Sequence, residues 1–111
     1  MKIPESTRNT LQHRLSTRAR ERWPELHAIR LRFRDHFAYV DGELEHGENI
    51  PLCRLRYGGS ARSWGFAISL ANGYEDSVLP TGLHAGSPED ALDCACGLHL
   101  ADPTAWRVDH Q

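Results

Sequence analysis

No apolar run in the chain approaches the roughly 18 residues that a membrane-crossing helix needs. The opening MKIPESTRNT contains no apolar core of the kind a secretory signal carries. Cysteine is scarce, three in 111 residues. An odd count, with Cys94 and Cys96 one residue apart, gives no disulfide framework. These absences predict a reduced, cytoplasmic protein with no membrane partner.

The motifs of common chemistries are also missing. There is no CxxC pair, no HxxxH pair and no GxSxG elbow. Gly58-Gly59-Ser60 is followed by neither a Lys-Ser/Thr pair nor a helix, so it reads as a hairpin turn rather than a phosphate loop. On a helix Cys94 and Cys96 point about 200° apart, at about 100° per residue, and cannot chelate together. Cys96 and His99 share a face, and with His84 or Cys53 they would make part of a zinc site. Small buried thiols in a core helix explain the same residues more simply. Glu43, Glu45 and Glu48 crowd a hairpin tip, where a solvated turn accounts for them better than acid–base catalysis. The chain is therefore expected to be no enzyme, with no catalytic residue, no cofactor and no metal.

What is present is the composition of one globular domain spanning 1–111, 40% hydrophobic and 25% charged. The net charge of -2 conceals a division. Residues 1–34 carry nine Lys/Arg against three acids, +6, and the remaining 77 carry four against twelve, -8. Either an anionic partner for the basic part or attraction between the two parts would account for this.

Residues 6–22 read as a helix, with Ser6 or Thr7 placed to cap it and Trp23-Pro24 to end it. Leu11, Leu15 and Ala19 form a thin apolar stripe, which predicts loose attachment. Arg14, Arg18 and Arg22 repeat at the same spacing. They read as a cationic stripe for phosphate, or as a solvated helix face.

From 27 to 79 the alternation has period two and predicts four antiparallel strands in a meander, with a fifth over 74–79. A two-residue turn at Asp35-His36 sets Phe33 against Ala38 and Leu31 against Val40. A turn over 45–48 that pairs Leu44 with Asn49 sets Val40 against Cys53, and Tyr39 against Arg54. A connection over 59–62 sets Tyr57 against Trp64 and Leu55 against Phe66. All three registers agree. One face is Ile29, Leu31, Phe33, Ala38, Val40, Cys53, Leu55, Tyr57, Trp64, Phe66, Ile68 and Leu70, a core. The other carries Arg30, Arg32, Arg34, Phe37, Tyr39, Leu52, Arg54 and Arg56, then Gly65, Ala67 and Ser69, of which Gly65 and Ala67 leave room for a backbone to approach. A slip of one residue would expose the apolar set of any strand.

Asn72-Gly73 reads as a turn, and Pro80 ends the fifth strand. Ser87-Pro88-Glu89-Asp90 then combines a cap, a first-turn proline and two acids near the positive end of the dipole. It starts a helix, 87–101, that covers the apolar sheet face, with Trp106 tucked back on the body. The fold class is thus α+β: an N-terminal helix, a four- or five-stranded antiparallel meander, and a C-terminal helix packed on one sheet face.

RLRFRDHFAYV, PLCRLRYGGSARSWGFAI, YEDSVLP and SPEDALDCACGLHLADPTAW together resemble a group of small uncharacterised proteins from high-GC actinobacteria. The resemblance covers roughly 18–106 and implies an independent domain, without implying an activity. Strands followed by an S-P-E-x-A helix also resemble the order in AP2-type and integrase arm-binding DNA readers, which set an arginine-bearing sheet against DNA. No diagnostic motif of either is present, and the likeness is one of fold alone.

Guanidinium groups beside aromatic rings suit phosphates and stacked bases. The expected function is a non-enzymatic nucleic-acid-binding or accessory domain using Arg30, Arg32, Arg34, Phe37, Tyr39, Arg54 and Arg56, aided by Arg14, Arg18 and Arg22. The same face would serve a protein partner or a second copy. An internal ladder, with arginines covering Phe37 and Tyr39 from water, stands beside both.

Overall fold

The structure, a computed structural model, describes residues 2–70, 73–77, 79 and 82–100. Two helices lie on one face of an antiparallel sheet, in the order α1 (Glu5–Arg22), β1 (Leu26–Arg34), β2 (Phe37–Leu44), β3 (Asn49–Tyr57), β4 (Trp64–Leu70), β5 (Gly73–Asp76), β6 (Ala85–Gly86) and α2 (Pro88–His99). The strands run in sequence order β1-β2-β3-β4-β5, with β6 beside β4. This is the α+β architecture that the alternation predicts. The expected turn residue Asn72, and Val78, Pro80, Ala101 and Trp106, lie outside the described residues.

The hairpin registers follow from side-chain period and turn chemistry. Arg34 pairs with Phe37 around Asp35, whose φ of 54° an aspartate tolerates. Val40 faces Cys53, and Tyr57 faces Trp64, as the pattern requires. Ala38, Val40, Leu55, Trp64, Phe66 and Ile68 are buried with Leu92, Ala95 and Cys96 of α2. The Ser87 hydroxyl accepts from the Asp90 amide, and Pro88 stands in the first turn, so α2 starts where its sequence signals place it.

Several expectations need correction. The ladder between β2 and β3 shifts by one residue after Val40, so Asn49 pairs with Glu43, not Leu44. This bulge leaves two residues of β3 on the core side, and Leu52, expected outside, is fully buried. Leu26 and Leu52 converge on Gly42, where a Cβ would stand 2.6 Å from Leu26 Cδ2. Leu70, assigned to the core, is 44% exposed at the end of β4.

The fifth strand stops at Asp76, short of Leu79. The Ser77 amide still bonds the Phe66 carbonyl, but the chain then leaves β4. It returns at His84, whose carbonyl accepts from the Phe66 amide, and β6 follows. β5 and β6 are therefore two halves of one interrupted edge strand. Leu79, in the excursion between them, is buried in the core.

α1 is firmly attached. Its first turn begins at Glu5 after Pro4, without a side-chain cap from Ser6 or Thr7. Ile3 is buried, and Leu11, Leu15 and Ala19 join the core. The narrow stripe suffices because α1 packs against both β1 and α2, and ion pairs to α2 close the remaining contact.

Candidate functional site

Alternation along β1 to β5 puts Arg30, Arg32, Arg34, Phe37, Tyr39, Arg54 and Arg56 on the sheet face opposite the helices. They stand in cross-strand rows. Arg34, Phe37, Arg56 and Gly65 form one row, and Arg32, Tyr39, Arg54 and Ala67 the next. Tyr74 and Asp76 of β5 close the face beside Ser69 and Ala67.

Most of these side chains satisfy one another. The Arg54 guanidinium lies 4.5 Å from the Phe37 ring centre and 5.7 Å from that of Tyr74, and it reaches Asp76 at 3.7 Å. Arg32 stands 5.4 Å from the Tyr39 ring centre and 3.4 Å from Asp41, while Arg30 pairs with Glu43 at 2.8 Å. Tyr39 and Tyr74 meet edge to face at 5.3 Å. Ala67 and Ser69 are buried on this face. Burial, then the charge of Asp41, pushes the Tyr74 phenol up against the pull of Arg32. The charge of Asp41 raises Arg32 in turn, so the guanidinium and the phenol both keep their protons at neutral pH.

Two arginines differ. Among the described residues, no carboxylate lies within ion-pair distance of Arg34 or Arg56. Each lines a depression. One, of about 350 Å³, is bounded by Phe37, Arg54, Arg56, Gly65, Asp76 and His84. The other, of about 420 Å³, lies among Arg32, Arg34, Tyr39 and Tyr74. Gly65 makes the first possible, since a Cβ there would stand 2.9 Å from Arg56 Nε.

The Arg14, Arg18 and Arg22 stripe lies elsewhere and is engaged. Arg14 grips Glu89 of α2 with Nε at 2.7 Å and Nη2 at 2.6 Å, and its Nη1 donates to the Ala61 carbonyl. Arg18 and Arg22 both reach Asp93, which also accepts from Trp23 Nε1 at 3.0 Å. Partial burial pushes the Glu89 and Asp93 carboxyls up. The arginine hydrogen bonds, with that of Trp23 at Asp93, outweigh it and hold both below their ordinary range. The stripe therefore binds within the molecule. The matching signal in the sequence is Glu89 and Asp93, themselves four residues apart on one helix face.

Sequence reading missed Tyr74, Asp41, Asp76 and His84 at the open face. Asp41 and Asp76 were legible as acids but not as neighbours of Arg32 and Arg54, since Asp41 meets Arg32 on a diagonal that depends on twist, and Asp76 reaches Arg54 across Ala67 only once the register of β5 is set. His84 arrives through the edge-strand excursion, which has no period to read. Cys53 and Cys96 are buried in the core, where burial pushes both thiols up, Cys96 to about 12. Among the described residues no three His, Cys, Asp or Glu side chains gather as a metal site would require.

No family model, curated protein or solved structure matches the chain. No described helix is long and apolar enough to cross a membrane.

Proposed function

We propose that the chain is a non-enzymatic binding domain that takes single-stranded nucleic acid on its open sheet face. One observation carries this. Arg34 and Arg56, the two face arginines without a carboxylate, flank Phe37 in a single cross-strand row. Adjacent strands stand about 4.8 Å apart, so the backbone positions of the two uncommitted arginines are roughly 10 Å apart with that of Phe37 between them. Phosphates would meet Arg34 and Arg56, while bases stack on the rings and on the guanidinium planes of Arg32 and Arg54. Gly65 leaves space beside Arg56 for a backbone to approach.

The test is a fluorescence anisotropy titration of a labelled single-stranded oligonucleotide at low and high salt. Binding is expected at low salt, weakening with a log–log slope of about 0.7 per phosphate contacted. Arg34→Glu combined with Arg56→Glu is expected to abolish it. No binding at low salt, or unchanged binding by the double variant, rejects the reading.

A protein partner is the second reading, and Asp41, Glu43 and Asp76 favour it. Three acids among five arginines make a mixed-sign surface of the kind that protein interfaces use. If that partner is a second copy, light scattering detects an oligomer that Arg54→Glu dissolves.

A further inference from the structure

We propose that the outer edge of β1 is a second interaction surface, built to accept an extended acidic segment of another protein as an added strand. It shares Arg32 and Arg34 with the second depression of the open face, and what sets it apart from the nucleic-acid reading is the backbone ladder at Leu31 and Phe33.

β1 is nine residues long and ends the sheet, with β2 as its partner on one side. The two-residue turn makes Arg34 and Phe37 a mutually bonded pair, so Arg30, Arg32 and Arg34 spend their backbone groups on β2. Ile29, Leu31 and Phe33 must then direct N–H and C=O outward. Two contacts confirm this phase. The Gln12 side chain of α1 donates to the Ile29 carbonyl at 3.0 Å, and the Tyr57 amide takes the His36 carbonyl, as β2 requires on its far side. Gln12 occupies the Ile29 end. Among the described residues, the backbone groups of Leu31 and Phe33 have no partner.

Folded proteins usually close such an edge with proline, a bulge, a short strand or a covering element. From Ile29 to Arg34, β1 has no proline and no irregularity, since its one register shift lies between Leu26 and Ala28. α1 guards its ends, with Gln12 on the Ile29 carbonyl and Arg8 5.2 Å from the Phe33 ring centre, and between them charge guards it. Arg30 and Arg32 remain 61% and 62% exposed in side chain although each has an acid beside it. Two copies of β1 run antiparallel would set arginine against arginine, which repels and excludes self-pairing. An acidic strand meets the opposite condition.

The molecule already holds the template for that pairing. β2 carries Asp41 and Glu43 on alternate positions, and they meet Arg32 and Arg30 at 3.4 and 2.8 Å. A partner strand with acids at alternate positions would repeat this arrangement on the outer side, with Arg34 still uncommitted. Its other side chains would be apolar, because they would rest beside the half-buried Leu31 and Phe33. Strand addition of this kind takes affinity from the backbone ladder and specificity from the alternating side chains.

The probe is a labelled peptide of alternating glutamate and valine, titrated into the full chain while backbone amides are followed by NMR. Binding should be accompanied by slowed hydrogen exchange at the Leu31 and Phe33 amides. Arg34→Glu should weaken it roughly tenfold. A lysine–valine peptide should not bind. Neither should a glutamate–valine peptide N-methylated at alternate residues, which keeps the charge and loses the ladder. Equal binding by the N-methylated peptide would reduce the effect to charge attraction and overturn the proposal. So would unchanged Leu31 and Phe33 amides at saturation, no binding at low salt, or concentration-dependent pairing of the protein with itself through β1. An oligonucleotide that binds at Arg56 and leaves the Leu31 amide unmoved keeps this outcome separate from that of the open face.

Discussion

Arg18 of α1 and Asp93 of α2, 75 residues apart in the chain, form a two-point ion pair, with Nε at 3.1 Å and Nη2 at 2.6 Å from Oδ2. Arg22 and Trp23 add to the same carboxylate, whose side chain is 15% exposed. One acid thus ties together the last two turns of α1, the residue that ends it, and the middle of α2.

Asp93→Ala should therefore cost more than a surface ion pair, which is worth at most about 1 kcal/mol. Losing a shared acceptor for two guanidinium groups and an indole should cost about 2 kcal/mol. For a chain of this size that is a fall of roughly 8 °C in Tm. Calorimetry of Asp93→Ala beside Arg22→Ala separates the shared acid from its most exposed partner. Arg22→Ala should cost less than half as much.

The same carboxylates set an acid limb. Asp93 and Glu89 have folded values below their ordinary ones, so their contribution is fully present above the ordinary carboxylate range, around pH 4. It is lost as pH falls from that range through the folded values. Denaturant midpoints measured from pH 7 downward should drop with protonation of these two groups. The double variant Asp93→Asn with Glu89→Gln should start lower and fall less steeply.

Leu52→Ala should destabilise the fold by about 3 kcal/mol, as for a fully buried leucine. Pro51→Ala, at the exposed neighbouring position, should change stability by no more than about 0.5 kcal/mol. Strict alternation, which puts Leu52 outside, predicts the opposite order. Urea unfolding of the two variants reads the bulge directly.

Gly65→Ala would place a methyl group 2.9 Å from Arg56 Nε and 3.3 Å from its Cβ. The guanidinium can swing aside, so stability should change by about 1 kcal/mol or less. The depression at Phe37 should lose its arginine wall, and oligonucleotide affinity should fall with it. Gly58→Ala, where a Cβ meets nothing within 4 Å, is the matched control and should leave both unchanged.

Much of this molecule can be read from residue order alone. Ile29, Leu31 and Phe33 alternate with Arg30, Arg32 and Arg34, and a period of exactly two residues leaves one register that buries the apolar set. The Ser87-Pro88-Glu89-Asp90 start of α2 is equally local, because a cap is made by neighbours in sequence. Leu52 escapes such reading, since a bulge adds a residue without changing the pattern on either side of it. So does the interrupted edge at Asp76 and Ala85, where the Leu79 side chain draws the chain into the core.

The candidate surface divides in the same way. Alternation by itself determined that five arginines share a face with Phe37 and Tyr39. Only the tertiary structure decided which of them are committed. Asp41, Glu43 and Asp76 take Arg32, Arg30 and Arg54, while Glu89 and Asp93 take Arg14, Arg18 and Arg22. The physical reason is range. Periodicity is fixed by the geometry of one strand, whereas an ion pair needs two groups within 4 Å, and the fold alone brings residues 75 apart to that distance.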